Sequence, residues 1–354
     1  MTSCPRCEMA ASPDDRFCEA CGAPIDGVSQ PADPPTRPVE RRKNCRCLPA
    51  DASPDEAGFC RTCGFRAATQ AGDEPNLVLP IDGDLAALSD RGRRYRRAGM
   101  KNQDSAIAAR LPDGAALLAV ADGVGSANNA ETASAAAVAA VRIVLKAAGP
   151  NEPPKKVMFR AIAAAQRAVL AVPVPHPDPA KAPPESTIAA ALVRDGRATI
   201  GWVGDSRAYL VAGRSGRVLT RDDSWLVEVV ESGAMTIEAA RADRRCHTIT
   251  QCLGVVDMEI DIHIEEVPVK AGSWLVLCTD GLWNYLEDGD RMAGAMAEGP
   301  EDSDALVLCR RLTLIANESG GHDNISVAMV RIDSELAKRV PRPHRNRGAA
   351  AKLG

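Results

Sequence analysis

The chain has 354 residues, 45% of them hydrophobic, enough for a substantial core and for more than one domain. Its formal net charge of -4 argues against general nucleic-acid binding, and no apolar run approaches the roughly 20 residues that span a bilayer. The opening Met1-Thr2-Ser3-Cys4 lacks the charged-then-apolar order of a secretion signal, which predicts a cytoplasmic protein whose twelve cysteines stay reduced unless a metal holds them.

Eight of those cysteines precede residue 64. Cys4-Pro-Arg-Cys7 and Cys18-Glu-Ala-Cys21-Gly22 are two C-x-x-C pairs separated by ten residues. Each pair makes a tight knuckle with two thiolates on one side, and two knuckles give the tetrahedral sulfur set of structural Zn²⁺. So short a segment buries too little apolar area to fold without the ion. Residues 1–27 therefore read as one zinc module, and they resemble the zinc-ribbon family. Residues 28–43, rich in Pro and charge, read as a semi-rigid linker. Residues 44–68 carry a second set, Cys45-Arg-Cys47 and Cys60-Arg-Thr-Cys63-Gly64, with Phe59 before Cys60 as Phe17 stands before Cys18. The opening C-x-C is one residue short and strains its knuckle, so one or two structural Zn²⁺ ions are expected. Because every ligand position is cysteine, no coordination place is left for a substrate water, and the modules read as structural or as adapters.

Residues 69–84 read as a polar linker, residues 85–333 as the main domain, and residues 334–354 as a basic disordered tail. Aromatics are only 3% of the chain, so Ala, Val, Leu and Ile must fill the core. Short apolar runs at 115–121, 187–193, 198–203, 208–211, 260–267, 274–279 and 325–332 predict strands. Tight turns such as Asp195-Gly196 and Arg214-Ser215-Gly216 suit antiparallel pairing. Helices are predicted over 132–148, 156–172 and 304–318, where Ala and Leu favour that state. Strands meeting strands, with a few long helices between, indicate an α+β layered domain. Cys246, Cys252, Cys278 and Cys309 share no ligand spacing, and Cys278 reads as a core residue.

Three aspartate turns follow or precede apolar strands: Val120-Ala121-Asp122-Gly123-Val124-Gly125, Leu277-Cys278-Thr279-Asp280-Gly281 and Gly320-Gly321-His322-Asp323-Asn324. Each sets a carboxylate at the rim of a sheet, and the glycine beside it lets backbone come close to an ion. Hard divalent ions such as Mg²⁺ and Mn²⁺ want such oxygen ligands. One Asp-Gly is an ordinary turn; three at strand ends make a constellation.

Those turns, taken with Asn102-Gln103-Asp104-Ser105, Gly201-Trp202-Val203-Gly204-Asp205-Ser206-Arg207-Ala208-Tyr209, Leu219-Thr220-Arg221-Asp222 and His247-Thr248-Ile249-Thr250-Gln251-Cys252-Leu253-Gly254, resemble the PPM (type 2C) metal-dependent protein phosphatases over residues 89–332. The resemblance implies a four-layer αββα sandwich, two antiparallel sheets flanked by helices with metals at one end. It implies hydrolysis of phosphoserine and phosphothreonine by a hydroxide bridging two Mn²⁺ or Mg²⁺ ions, with no covalent phosphoenzyme. Asp122 resembles the carboxylate that bridges the two ions, the Gly123 carbonyl a ligand of one, and Asp280 and Asp323 ligands of the other. Asp205 resembles the residue that helps hold a third ion, and Asp104 one that orients metal waters. An arginine just before Asn102 is implied as phosphate clamp; Arg93, Arg94, Arg96 and Arg97 compete for it, with Arg97 the nearest in sequence.

The chain departs from the family's usual Glu at Gln103, which brings no charge, and from the His many eukaryotic members carry at Val124. Cys-x5-Arg spacing occurs only at Cys60–Arg66, inside the second cysteine set, and no Gly-x4-Gly-Lys-Ser/Thr loop is present, which argues against a cysteine phosphatase and a P-loop enzyme. The competing reading from the same residues is a catalytically weak scaffold that docks partners through its zinc modules. A third makes those modules nucleic-acid binders, on Arg6, Arg41, Arg42, Lys43, Arg46 and Arg61. Only Phe17, Phe59 and Phe65 are there to stack on bases. The expected partner is a phosphorylated protein, the target of a Ser/Thr kinase.

Overall fold

The computed structural model describes residues 76–256, 259–299 and 303–338, together with the backbone of a two-residue pair, β1 (Thr2–Ser3) and β2 (Ala10–Ala11). All eight cysteines of the two expected zinc modules, and the linker between them, lie outside the described residues.

The main domain holds two antiparallel sheets. The first contains β3 (Leu77–Asp82), β4 (Leu85–Asp90), β9 (Arg207–Ala212), β10 (Ser215–Val218), β12 (Trp274–Cys278) and β13 (Ile325–Arg331), in the order β10-β9-β12-β13-β4-β3. The second contains β5 (Asp104–Arg110), β6 (Ala116–Asp122), β7 (Ile188–Arg194), β8 (Arg197–Val203) and β11 (His263–Pro268), in the order β11-β8-β7-β6-β5. Side chains alternate across each strand with period two, and both faces are apolar. In β6, Ala116, Leu118 and Val120 enter the core between the sheets, while Leu117, Ala119 and Ala121 face the helix layer. In β13, Ala328 and Val330 face the other sheet, while Val327 and Met329 face the opposite helices.

The outer layers follow from amphipathic stripes. Helix α2 (Ala130–Ala147) buries Ala133, Ala137, Val141 and Leu145 at helical spacing, and α3 (Pro154–Leu170) buries Val157, Ala161, Ala165 and Val169. Both cover the five-stranded sheet. Helices α7 (Gly289–Ala297) and α8 (Ala305–Glu318) cover the six-stranded sheet. The result is the expected αββα sandwich. Four shorter helices sit in the connections: α1 (Gly92–Arg97), α4 (Trp225–Glu231), α5 (Ile237–Ala242) and α6 (Asp280–Trp283). Among the described residues no helix is long and apolar enough to cross a membrane.

Two expected boundaries are corrected. The linker of residues 69–84 contains β3, which pairs with β4 at the sheet edge. Pro80 in that run hides the strand, but an edge strand tolerates a missing donor. The tail of residues 334–354 begins too early, because Leu336 is 5% exposed and packs into the core between the sheets.

Candidate active site

The site assembles at the end of the sandwich where four strands stop or start together. Strand β5 begins at Asp104 and β6 ends at Asp122, and the antiparallel register sets these two aspartates opposite one another. Like charges facing across a strand pair repel, so neither is there for the stability of the sheet. In the other sheet β12 ends at Cys278 and β13 begins at Ile325, with Thr279 N donating to Ser326 O across the gap at 3.1 Å. Asp280 and Asp323 therefore leave adjacent strand ends.

Short polar side chains bind the two sheets together here. Thr279 Oγ1 donates to Asp104 Oδ2 at 2.7 Å and accepts from Ser326 N at 2.9 Å. Asn324 Oδ1 accepts from Gln103 N at 2.7 Å, and Asn102 Nδ2 donates to Ser89 Oγ at 2.8 Å. Backbone packing is as tight. A Cβ at Gly123 would stand 2.2 Å from Ala130 O and 2.7 Å from Gln103 O. One at Gly281 would stand 1.9 Å from Asn324 O. Both positions require glycine, which is what holds Asp122 and Asp280 at the joint.

The electrostatics are those of crowded carboxylates. Burial, then the charges of Asp104, Asp280, Asp323 and Asp205, push the Asp122 carboxyl well above its ordinary range. Burial followed by Asp323, Asp205 and Asp104 does the same to Asp280. Asp104 is raised to about 7, chiefly by burial, and Asp323 is raised by burial against the pull of Arg94. Asp205, also raised to about 7 by burial and then by Asp222, lies on the flank near Arg207, which forks onto Asp222 at 2.6–3.2 Å. The sequence-expected residues Asp104, Asp122, Gly123, Asp280 and Asp323 are thus brought to one place, with Asp205 beside them.

Among the described residues no three His, Cys, Asp or Glu side chains already converge into a closed ligand cage. The donor set nevertheless fits a hard divalent ion. It offers only oxygens, several carboxylates repel one another, and Asp104 Oδ1 is buried with no hydrogen-bond partner. A dication would relieve the repulsion that burial makes costly.

Two residues at the site lay outside the sequence reading or were unresolved by it. The Tyr95 hydroxyl bonds the Asp323 carboxylate and stands 3.5 Å from Gln103 Oε1, and burial among these carboxylates holds the phenol well above its ordinary range. Its signal was scarcity, since the chain has only three tyrosines. Of the competing arginines, Arg96 is taken by a bidentate pair with Asp90 at 2.9–3.0 Å. Arg97 is exposed, with no ion pair or side-chain hydrogen bond among the described residues. Arg94 is the one whose charge reaches Asp323, with its backbone N bonded to Gly321 O at 2.9 Å.

The fold is an αββα sandwich with a cluster of buried carboxylates where its two sheets end. The family model for Protein phosphatase 2C matches residues 91–303, more than half of the chain, and the chain belongs to that family. Protein phosphatase PhpP of Streptococcus pneumoniae is 33% identical over 155 residues, 43% of this chain and 60% of that protein. The match therefore spans about three-fifths of that relative's length. The solved serine/threonine phosphatase of S. agalactiae agrees with a TM-score of 0.61 at 26% identity, over 70% of this chain and 98% of that one. The catalytic domain of the serine/threonine protein phosphatase PstP, solved in complex with two manganese ions, agrees with a TM-score of 0.54 at 27% identity, over 70% and 96%.

Gln103 gives a test of the placement. Gln103→Glu adds a carboxylate beside Tyr95 and the aspartates, and a charged acceptor strengthens bonds from metal-held waters by roughly 1 kcal/mol. The Mn²⁺ concentration for half-maximal hydrolysis of an aryl phosphate is expected to fall several-fold. An unmoved titration curve would take Gln103 out of the metal's surroundings.

Proposed function

We propose that this chain hydrolyses phosphoserine and phosphothreonine in proteins, using Mn²⁺ or Mg²⁺. The observation that carries the reading is the cluster of Asp104, Asp122, Asp280 and Asp323 at the joined ends of both sheets, with Arg94 beside it. In this reading the Asp122, Asp280 and Asp323 carboxylates and the Gly123 carbonyl would hold the ions. Such ions, when bound, would lower the pKa of a water and neutralise phosphoryl oxygens. Asp104, through its unpartnered Oδ1, orients waters, and Asp205 helps with a third ion.

Arg94, in place of Arg97, grips the phosphate with its guanidinium fork. Water oxygen adds to phosphorus as the bond to the serine or threonine oxygen breaks. That leaving oxygen draws its proton from solvent, because Val124 offers none. The substrate is supplied by a Ser/Thr kinase, the class of enzyme that makes these esters. The direct test is release of one phosphate per phosphothreonine peptide in Mn²⁺, with the dephosphorylated peptide recovered whole. Recovery of only intact phosphopeptide from a folded, Mn²⁺-supplied chain would reject it.

We further propose that Cys4, Cys7, Cys18 and Cys21 hold one Zn²⁺ and that Cys45, Cys47, Cys60 and Cys63 hold a second, in modules that dock a protein partner. The support is cysteine spacing alone. The same cysteine usage supports a cytoplasmic setting. Elemental analysis of protein purified without chelators is expected to give about two zinc per chain, lost together when residues 1–68 are removed. One zinc would remove the C-x-C site, and none would remove both. The truncated chain is expected to keep aryl phosphate hydrolysis, since every residue assigned to the reaction lies beyond residue 84.

A further inference from the structure

Helix α1 carries three arginines in its last turn, where the helix dipole favours cations. It has no acidic residue in its first turn, and Arg93 stands near the positive end of its dipole. Arg93 and Arg97 are four residues apart, so they share a face, where like charges repel. Two nearby cations are neutralised, Arg96 by Asp90 and Lys101 by Glu131, while Arg91, which precedes the helix, is half-buried with its Nε unpartnered. Arg93 and Arg97 are exposed, and neither has an ion pair or hydrogen bond among the described residues.

The helix also sits on the site. A Cβ at Gly92 would stand 1.9 Å from Asp323 O, and one at Gly321 would stand 2.8 Å from the Arg93 Cβ. Arg94 and Tyr95, between the two exposed arginines, reach Asp323. The face of Arg93 and Arg97 is therefore the rim beside the place where a phosphorylated residue would enter, and flanking residues of a bound peptide must cross it.

We infer that Arg93 and Arg97 select substrates, favouring phosphopeptides with acidic residues flanking the phosphorylated one. This rests on the phosphatase reading above. The two guanidiniums steer and hold acidic flanks at the rim. Contacts of this kind at a wet rim change encounter rate and salt dependence.

The experiment compares two phosphothreonine peptides of equal length, one flanked by Glu and one by Lys, with p-nitrophenyl phosphate as the flank-free substrate. The full chain is expected to favour the Glu peptide in kcat/KM by about three- to tenfold at low salt, as two surface charge pairs allow. High salt should close the gap. In Arg93→Glu/Arg97→Glu the preference is expected to reverse toward the Lys peptide, with p-nitrophenyl phosphate hydrolysis within about twofold of the parent. A structural role for these arginines gives no such reversal.

Equal use of both peptides, or a Glu preference that survives the double substitution, overturns the inference. Arg93→Glu alone, expected to narrow the preference, serves if the double variant folds poorly. Fluorescence anisotropy with both labelled peptides reads the same preference as affinity. A chain that binds the Glu peptide selectively yet releases no phosphate keeps the rim and rejects the phosphatase reading. Equal affinity with good turnover does the reverse.

Discussion

Asp122→Asn is expected to lower kcat/KM for any phosphate ester by at least about a hundredfold while leaving the fold intact. Removing a group that only supports a metal ligand typically costs about 10–100-fold, and a shared carboxylate supplies both a ligand atom and a charge to two ions. The fold should tolerate the change because Asn keeps the shape and Asp122 is a source of strain. It faces Asp104 across the β5–β6 pair and carries a carboxyl raised by burial and by four neighbouring aspartates. Neutralising it removes a repulsion that a metal-free chain must bear. The melting temperature of the metal-free variant should therefore equal or exceed that of the metal-free parent. Added Mn²⁺ should raise it less, since stabilisation by a ligand follows its affinity. Circular dichroism melts with and without Mn²⁺ read both effects. A variant that keeps parental turnover, or that unfolds without metal where the parent does not, would show that Asp122 is a structural residue of the sheet.

The central strands were readable in the sequence because both faces are buried, so β6, β7 and β12 appear as apolar runs, and β8 and β13 as runs interrupted only by Thr199, Gly201 and Ser326. The strands that escaped notice had physical disguises. Strand β3 carries Pro80, β10 is four residues of mixed polarity, and β4 ends in Ser89 and Asp90, which belong to the site. Strand β5 begins with the polar Asp104 and Ser105 and continues through Ala, which favours helix as readily. The three aspartate turns were legible because an aspartate at a strand end with glycine close by in the turn has few structural uses when repeated.

The arginine question was not legible. In a helix each residue turns by about 100°, so which of four neighbouring arginines meets Asp323 depends on rotation of α1. A six-residue helix without an apolar stripe gives no clue to that rotation. Tyr95 escaped for the same reason, although it sits between the arginines under scrutiny.

Chelation gives the most direct measure of the whole account, and one of its largest expected effects. The aspartates at the joint are an all-oxygen set with no His or Cys, so they are expected to hold hard ions loosely and in exchange with solvent. Among the described residues the two thiols that feel these aspartates are poor nucleophiles: Cys278 is fully buried in β12 with its thiol pushed well above the ordinary range, and Cys252 is raised to about 12. Hydrolysis of a phosphothreonine peptide is therefore expected at millimolar Mn²⁺ or Mg²⁺, to fall to background in EDTA, and to return when Mn²⁺ is added back in excess. Tightly held zinc in the cysteine modules, if lost to the chelator, is controlled by repeating the measurement on the chain lacking residues 1–68. Full turnover by protein whose metal content is verified as nil would contradict the account. So would a folded, Mn²⁺-saturated chain that leaves the peptide phosphorylated.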